Sequence, residues 1–82
     1  MPDKAQILDQ LYELIQPFAK EPIELGEQTD LIDEVGLDSM KIMDMVMQIE
    51  DHFDVSIPLN VLTDVRTIGD MAGQLQGLIK DN

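Results

Sequence analysis

Cysteine is absent from this sequence and basic residues are scarce. Without cysteine, the chain has no disulfide framework, no thiolate metal site and no cysteine nucleophile. Only 5 Lys and Arg stand against 17 Asp and Glu, which gives a formal net charge of -12. Such a charge repels nucleic-acid phosphates and anionic membrane surfaces, and it speeds encounter with basic partners. We therefore expect basic protein partners and no nucleic acid.

Long hydrophobic runs are also missing. No apolar stretch approaches the roughly 20 residues of a membrane-spanning helix, and the charged start "MPDKAQILDQ" has no signal-peptide pattern. We therefore expect a cytoplasmic protein without membrane insertion. The 82 residues suit a single domain, 1–82, whose small core leaves little room for a deep active-site cleft.

The spacing of apolar residues predicts helices, and no segment alternates well enough to form a strand. With Asp3 as N-cap, a first helix should run from about Lys4 to Ala19, weakened by Pro17 and ending before Pro22. A long loop from Glu21 to Asp38 follows. Its apolar anchors are Leu25, Leu31, Ile32, Val35 and Leu37. Loops of this length are uncommon in compact domains and are often functional.

Three more helices follow the loop. The second should begin at Asp38 or Ser39 and end near Phe53, and "PLNVLTDV" suits a short third helix led by Pro58. The last has Thr67 as N-cap, with Asp70 completing a capping box. It should bury Ile68, Met71, Ala72, Leu75, Leu78 and Ile79. The predicted fold is all-α, a small four-helix bundle of three main helices plus one short helix.

The second helix has more apolar residues than one face can hold. At about 100° per residue, one stripe that suits a small core contains Ile42, Met45, Val46, Ile49 and Phe53. A second group, the methionine strip, consists of Met40, Met43 and Met47. Acids border it: Asp44, Glu50 and Asp51. The strip either widens the core or forms a docking surface, since methionine adapts to differently shaped partners and carboxylates orient basic ones.

Ser39 stands at the start of this helix, where it could be an ordinary cap. Asp38 can cap the helix by itself, which would leave the hydroxyl free. Self-contained hydrolysis is excluded because the only histidine, His52, is about 220° further round the same helix. The acidic loop also fails the calcium-loop pattern in registers starting at Asp30 and at Asp33. We therefore expect no catalytic residue and no metal site.

The stretch "DEVGLDSMKIMDMVMQIEDHFDVSIP" resembles the recognition region of acyl carrier proteins. With the final "TIGDMAGQL" helix, the resemblance spans essentially the whole chain. It implies a non-catalytic carrier whose Ser39 hydroxyl receives a covalent 4'-phosphopantetheine arm from coenzyme A, while Asp38 assists the transferase at its magnesium site. The arm's thiol would hold acyl groups as thioesters in fatty-acid, polyketide or other specialised biosynthesis.

The resemblance also implies partners for a carrier that we expect to be a monomer. These are a phosphopantetheinyl transferase and acyl-loading and acyl-modifying enzymes with basic docking patches. The residues implied to contact them are Met40, Met43, Asp44, Met47, Glu50, Asp51 and Ile57.

Some positions depart from the fatty-acid type of carrier. Met40 replaces a commoner leucine, Lys41 stands where that type is often acidic, and "PLNVLTDV" is more apolar than usual. These departures favour a specialised pathway. Two alternatives stay open: an aminoacyl or peptidyl carrier, including the D-alanyl type, and an acidic interaction module without a prosthetic group. An interior pocket for an acyl chain would favour the acyl carrier.

Overall fold

Four α-helices make up the frame of the molecule. A computed structural model describes residues 3–19 and 23–80, and it contains α1 (Lys4–Ile15), α2 (Ser39–Phe53), α3 (Leu59–Leu62) and α4 (Ile68–Lys80). No strand occurs in these residues, and the predicted four-helix fold is confirmed. The predicted loop start at Glu21 and helix stop before Pro22 lie outside the described residues.

Helix α1 begins as predicted and ends earlier than predicted. Asp3 accepts a hydrogen bond from the Gln6 N–H at 2.9 Å, and the Gln6 side chain accepts one from the Asp3 N–H at 3.1 Å, a reciprocal capping box. The helix stops at Ile15, and Gln16–Phe18 form a 3-10 turn, so one continuous helix to Ala19 is wrong. The reason is Pro17, which has no N–H to continue the α-helical ladder.

One hydrophobic core joins the helices. Helix α1 packs against α2 and α4. The predicted core stripe of α2 is confirmed, because Met45, Val46 and Ile49 are buried while Ile42 and Phe53 are half-buried against the same core. In α4, the buried residues are Ile68, Met71, Ala72 and Leu75, and Leu78 and Ile79 pack against them.

The long loop between α1 and α2 is fixed to the start of α4 by antiparallel backbone pairing, which we call the loop–α4 bridge. Its hydrogen bonds run from Ile68 N–H to the Thr29 carbonyl (3.1 Å), from Leu31 N–H to the Arg66 carbonyl (3.0 Å) and from Gly69 N–H to the Glu27 carbonyl (2.9 Å). A Cβ at Gly69 would lie 2.9 Å from the Glu27 carbonyl oxygen. Glycine is therefore needed there for the two backbones to approach this closely.

The carboxylate of Asp30 holds the turn beside this bridge. One oxygen accepts hydrogen bonds from the N–H groups of Ile32 (2.9 Å) and Asp33 (2.8 Å), and the other accepts from Arg66 Nε at 3.0 Å. The Asp33 N–H, followed by the Arg66 side chain, lowers the pKa of Asp30. Of the predicted apolar anchors, Leu31, Val35 and Leu37 are buried and Leu25 is half-buried, whereas this turn leaves Ile32 59% exposed.

The predicted capping box of α4 is confirmed. Thr67 Oγ1 accepts from the Asp70 N–H at 3.1 Å, and Asp70 Oδ2 accepts from the N–H groups of Thr67 and Arg66, both at 3.1 Å. The hydrogen bonds from these two N–H groups lower the pKa of Asp70 because they stabilise its ionised form, and the bond from Thr67 has the larger effect.

The lowered pKa of Asp70 predicts a pH-dependent contribution to stability. That contribution is present above the ordinary pKa of 3.8 and is lost as the pH falls through the lower folded pKa. In Asp70→Asn we expect a smaller loss in the free energy of unfolding between about pH 6 and pH 3 than in the parent, measured by urea denaturation. Asp44→Asn, an exposed carboxylate without such bonds in the described structure, is the matched control. Parallel curves for the parent and Asp70→Asn would contradict the prediction.

Candidate functional site

Ser39 is the first residue of α2, and its side chain is exposed. Asp38 precedes it as the N-cap, and Asp38 Oδ1 accepts a hydrogen bond from the Lys41 N–H at 2.9 Å. The Asp38 carbonyl accepts from the Ile42 N–H, also at 2.9 Å. Within the described residues, the Ser39 hydroxyl has no hydrogen-bond partner. The cap is therefore Asp38, and the serine hydroxyl is available to a reaction partner.

The backbone beside Ser39 suits a negatively charged substituent. The N–H groups of Ser39 and Met40 have no acceptor among residues 3–19 and 23–80, and first-turn N–H groups point out of a helix at its N-terminus. The positive end of the helix dipole adds to their effect. A phosphate ester on Ser39 Oγ would thus meet two backbone donors, and no acid other than Asp38 adjoins it in sequence.

The loop sets the position of this helix start. Gly36 has a φ of 84°, a left-handed conformation that favours glycine. The next residue, Leu37, is buried, and its N–H donates to the Leu31 carbonyl at 3.2 Å. Because Leu31 itself pairs with α4 through the loop–α4 bridge, Asp38 and Ser39 are tied to α4 through two backbone contacts.

The methionine strip is on the surface. Met40, Met43 and Met47 are 78%, 47% and 59% exposed, whereas Met45 on the opposite side of the same helix is 1% exposed. The interpretation that the strip only widens the core is therefore wrong. Three exposed thioethers at spacings of three and four form one apolar face beside Ser39.

The acids around the strip have different surroundings. Asp44 and Asp51 are exposed, but Glu50 is half-buried and its Oε2 accepts a hydrogen bond from the Ile57 N–H at 2.7 Å. The side chain of Ile57 is only 8% exposed and belongs to the core. The Ile57 side chain thus differs from the exposed residues of the strip, and its contact with partners stays a prediction.

Sequence reasoning missed the exposure of one apolar residue that follows α2 in the chain. Leu59, the first residue of α3, is 70% exposed. A helix of four residues is too short for apolar periodicity to show which side faces solvent, so the sequence contained no signal for it. His52 lies near the other end of α2 from Ser39, where its Nε2 is 2.7 Å from Gln10 Oε1 on α1.

An apolar cavity of about 90 Å³ lies between the loop, α2, α3 and α4. Its lining consists of Leu31, Ile32, Ile42, Met45, Leu62, Val65, Arg66 and Met71. Since all of these except Arg66 are hydrophobic, the cavity suits a small hydrocarbon group.

Neither a membrane-spanning helix nor a metal-binding cluster occurs in the described part of the chain. None of its helices combines the length and apolar character needed to cross a bilayer. Nor do any three of its His, Asp or Glu side chains group in a way that could hold a metal ion.

Comparison with known proteins adds a family. Residues 9–75 match the family model described as "Phosphopantetheine attachment site". The meromycolate extension acyl carrier protein of Mycolicibacterium aurum is 31% identical over 78 residues, which cover 94% of this chain and 80% of the relative. The acyl carrier protein of Exiguobacterium sibiricum is 31% identical over 74 residues, covering 89% and 94%.

The fold also matches a solved structure from Mycobacterium tuberculosis that is provisionally described as an acyl carrier protein. The TM-score is 0.79 at 22% identity, over 87% of this chain and 96% of the other. At this identity the match concerns the fold alone.

The division of roles between Asp38 and Ser39 can be tested by stability. Asp38→Ala removes the N-cap and should cost about 1 kcal/mol in the free energy of unfolding. Ser39→Ala should change it by less than about 0.5 kcal/mol, because the hydroxyl has no partner within the described structure. Urea denaturation of the unmodified protein measures both. An equal loss in the two variants would assign the serine hydroxyl to capping.

Proposed function

The chain belongs to the acyl carrier protein family, and on that premise we propose that its prosthetic group is attached to Ser39 Oγ. The family defines a non-catalytic protein that carries acyl groups on a covalent 4'-phosphopantetheine. It interacts with a phosphopantetheinyl transferase and with biosynthetic enzymes. An acidic interaction module without a prosthetic group is therefore the wrong interpretation.

The observation that supports Ser39 is an exposed hydroxyl, without an internal hydrogen bond, at the start of α2. The chain has two serines, and the other, Ser56, lies in the segment between α2 and α3. Only Ser39 has first-turn N–H groups beside it to stabilise the charge of a phosphodiester. Oγ of Ser39 is therefore the better nucleophile position of the two.

At phosphorus, attachment makes one bond and breaks one. Ser39 Oγ bonds to the phosphorus that bears the pantetheine arm, and the pyrophosphate bond of coenzyme A breaks, which releases adenosine 3',5'-bisphosphate. The transferase must provide the base for the hydroxyl proton, because the single histidine lies near the far end of α2. Asp38 is exposed and uses Oδ1 for its cap, which leaves Oδ2 to assist the magnesium ion held by the transferase. When attached, the arm supplies a thiol for thioester formation.

We further propose that partner enzymes dock on the methionine strip together with Asp44 and Asp51. The strip offers adaptable apolar contact, and the two exposed carboxylates attract basic side chains. The net charge of -12 favours the same partners during encounter. Glu50 contributes less than the resemblance implied, since one of its oxygens is bonded to the Ile57 N–H.

An acyl cargo is supported over an aminoacyl one. The relatives described above carry the names of acyl carriers, one of them for meromycolate extension, and we propose a hydrocarbon cargo of fatty-acid type biosynthesis for this chain as well. A hydrocarbon cargo is stabilised by burial in the apolar cavity of about 90 Å³, whereas burial of a polar aminoacyl group there is not favourable. Met40 and Lys41, which follow the proposed attachment serine, favour partner enzymes that are specific to this carrier.

Intact mass tests the attachment residue. After incubation with coenzyme A, magnesium and a broad-specificity phosphopantetheinyl transferase, the parent should gain one phosphopantetheine. Ser39→Ala should gain none, because it lacks the nucleophile. The matched control is Ser56→Ala, which should react like the parent. Modification of Ser39→Ala, or loss of modification in Ser56→Ala, would show that the arm is attached to a residue other than Ser39.

The methionine strip can be tested with the same transferase. Met47→Ala should raise the KM for the carrier roughly threefold to tenfold with little change in kcat, because it removes contact area without touching the reacting atoms. Ile32→Ala is the matched control, since Ile32 has the same 59% exposure but lies in the loop. Equal effects of both variants would show that no particular face is recognised.

A further inference from the structure

The structure assigns a modification site to the methionine strip. We infer that Met40, Met43 and Met47 are selectively oxidised by peroxides to methionine sulfoxide, and that this oxidation weakens recognition of the surface around Ser39. The first part stands on the exposure of the side chains. The second part rests on the docking surface proposed above.

Exposure divides the described methionines into two sets. The three strip residues are between 47% and 78% exposed, while Met45 and Met71 are each 1% exposed. Oxidation requires access of the oxidant to the thioether sulfur, so the strip should react well before the core. Because the chain has no cysteine, the unmodified protein contains no thiol that would react first.

The reaction is self-contained once a peroxide is present. A lone pair of the methionine sulfur attacks one peroxide oxygen, the O–O bond breaks, and an S–O bond forms. The sulfur is oxidised, and hydrogen peroxide is reduced to water. No reductant or metal ion is required.

The sulfoxides should change the surface without unfolding the protein. The strip side chains are mostly outside the core, so their oxidation removes little packing, whereas oxidised Met45 or Met71 would place a polar oxygen inside it. Met40 and Met47 are separated by about 10 Å along the helix axis, so the change covers two turns beside Ser39. In the docking proposed above, the basic side chains of the partner face the carboxylates and its apolar part faces the methionines, so the new oxygens would lose their water on binding without gaining a donor there.

Peptide mapping tests the first part. We expect limiting hydrogen peroxide at neutral pH to oxidise Met40, Met43 and Met47 in the unmodified protein while Met45 and Met71 remain intact. The urea midpoint should stay unchanged at that stage. Oxidation of Met45 and Met71 at the same rate, or loss of the folded state before the strip is converted, would overturn the inference.

The transferase assay tests the second part, after the peroxide has been removed with catalase. Oxidation should lower kcat/KM for the carrier roughly tenfold, and methionine sulfoxide reductases should restore it. The control is Met40→Leu/Met43→Leu/Met47→Leu, which keeps Met1, Met45 and Met71. For this variant the ratio of kcat/KM before and after peroxide should be about one, whatever its starting rate.

The outcomes separate the two proposals. If the untreated parent accepts no arm, the attachment at Ser39 fails, independently of oxidation. If the parent accepts the arm and strip oxidation leaves its kcat/KM unchanged, attachment stands and the oxidation inference fails. An equal loss in the triple variant would trace the effect to other residues and would also overturn the inference.

Discussion

The position of Ser39 depends on the antiparallel pairing between the long loop and the start of α4. The three backbone hydrogen bonds of the loop–α4 bridge join residues 27–31 to residues 66–69. On one side the bridge adjoins the Asp70 cap, and on the other it adjoins the Asp30 turn. The Leu31 carbonyl then accepts a hydrogen bond from the Leu37 N–H, and α2 begins two residues after Leu37. These hydrogen bonds and the buried leucines fix a segment that has no regular secondary structure.

The loop–α4 bridge explains the positions of two carboxylates in this acidic chain. Asp30 and Asp70 each accept backbone N–H groups, so their charges are compensated locally, and Asp30 also has Arg66. Several other acids remain exposed and contribute to the net charge of -12 without fixing the backbone. The carboxylates therefore fall into two groups: a few organise the loop and the helix ends, and the others add to the negative field around the molecule.

The sequence was sufficient for features that follow from periodicity and capping. The core stripe of α2, the caps at Asp3, Asp38 and Thr67, and the exposed serine could all be predicted, because each depends on neighbours within four residues. The loop–α4 bridge could not, since it pairs residues that are 35 to 42 positions apart and requires glycine at 69 only through that contact. The exposure of Ile32 and the burial of Ile57 depend on such contacts too, through the Asp30 turn and the Glu50 bond.

In α2, chemically similar neighbours have different surroundings: one contributes to the fold and the other is exposed. Asp38 caps the helix, while the hydroxyl of Ser39 has no hydrogen-bond partner in the described structure. Met45 is buried while Met47 is exposed, and Glu50 holds the Ile57 backbone while Asp51 faces solvent. A rotation of about 100° per residue makes this possible, since adjacent positions never share a face. Residues on the exposed side of α2 can consequently be substituted with little effect on the core, so the surface of this helix can vary while the fold is kept.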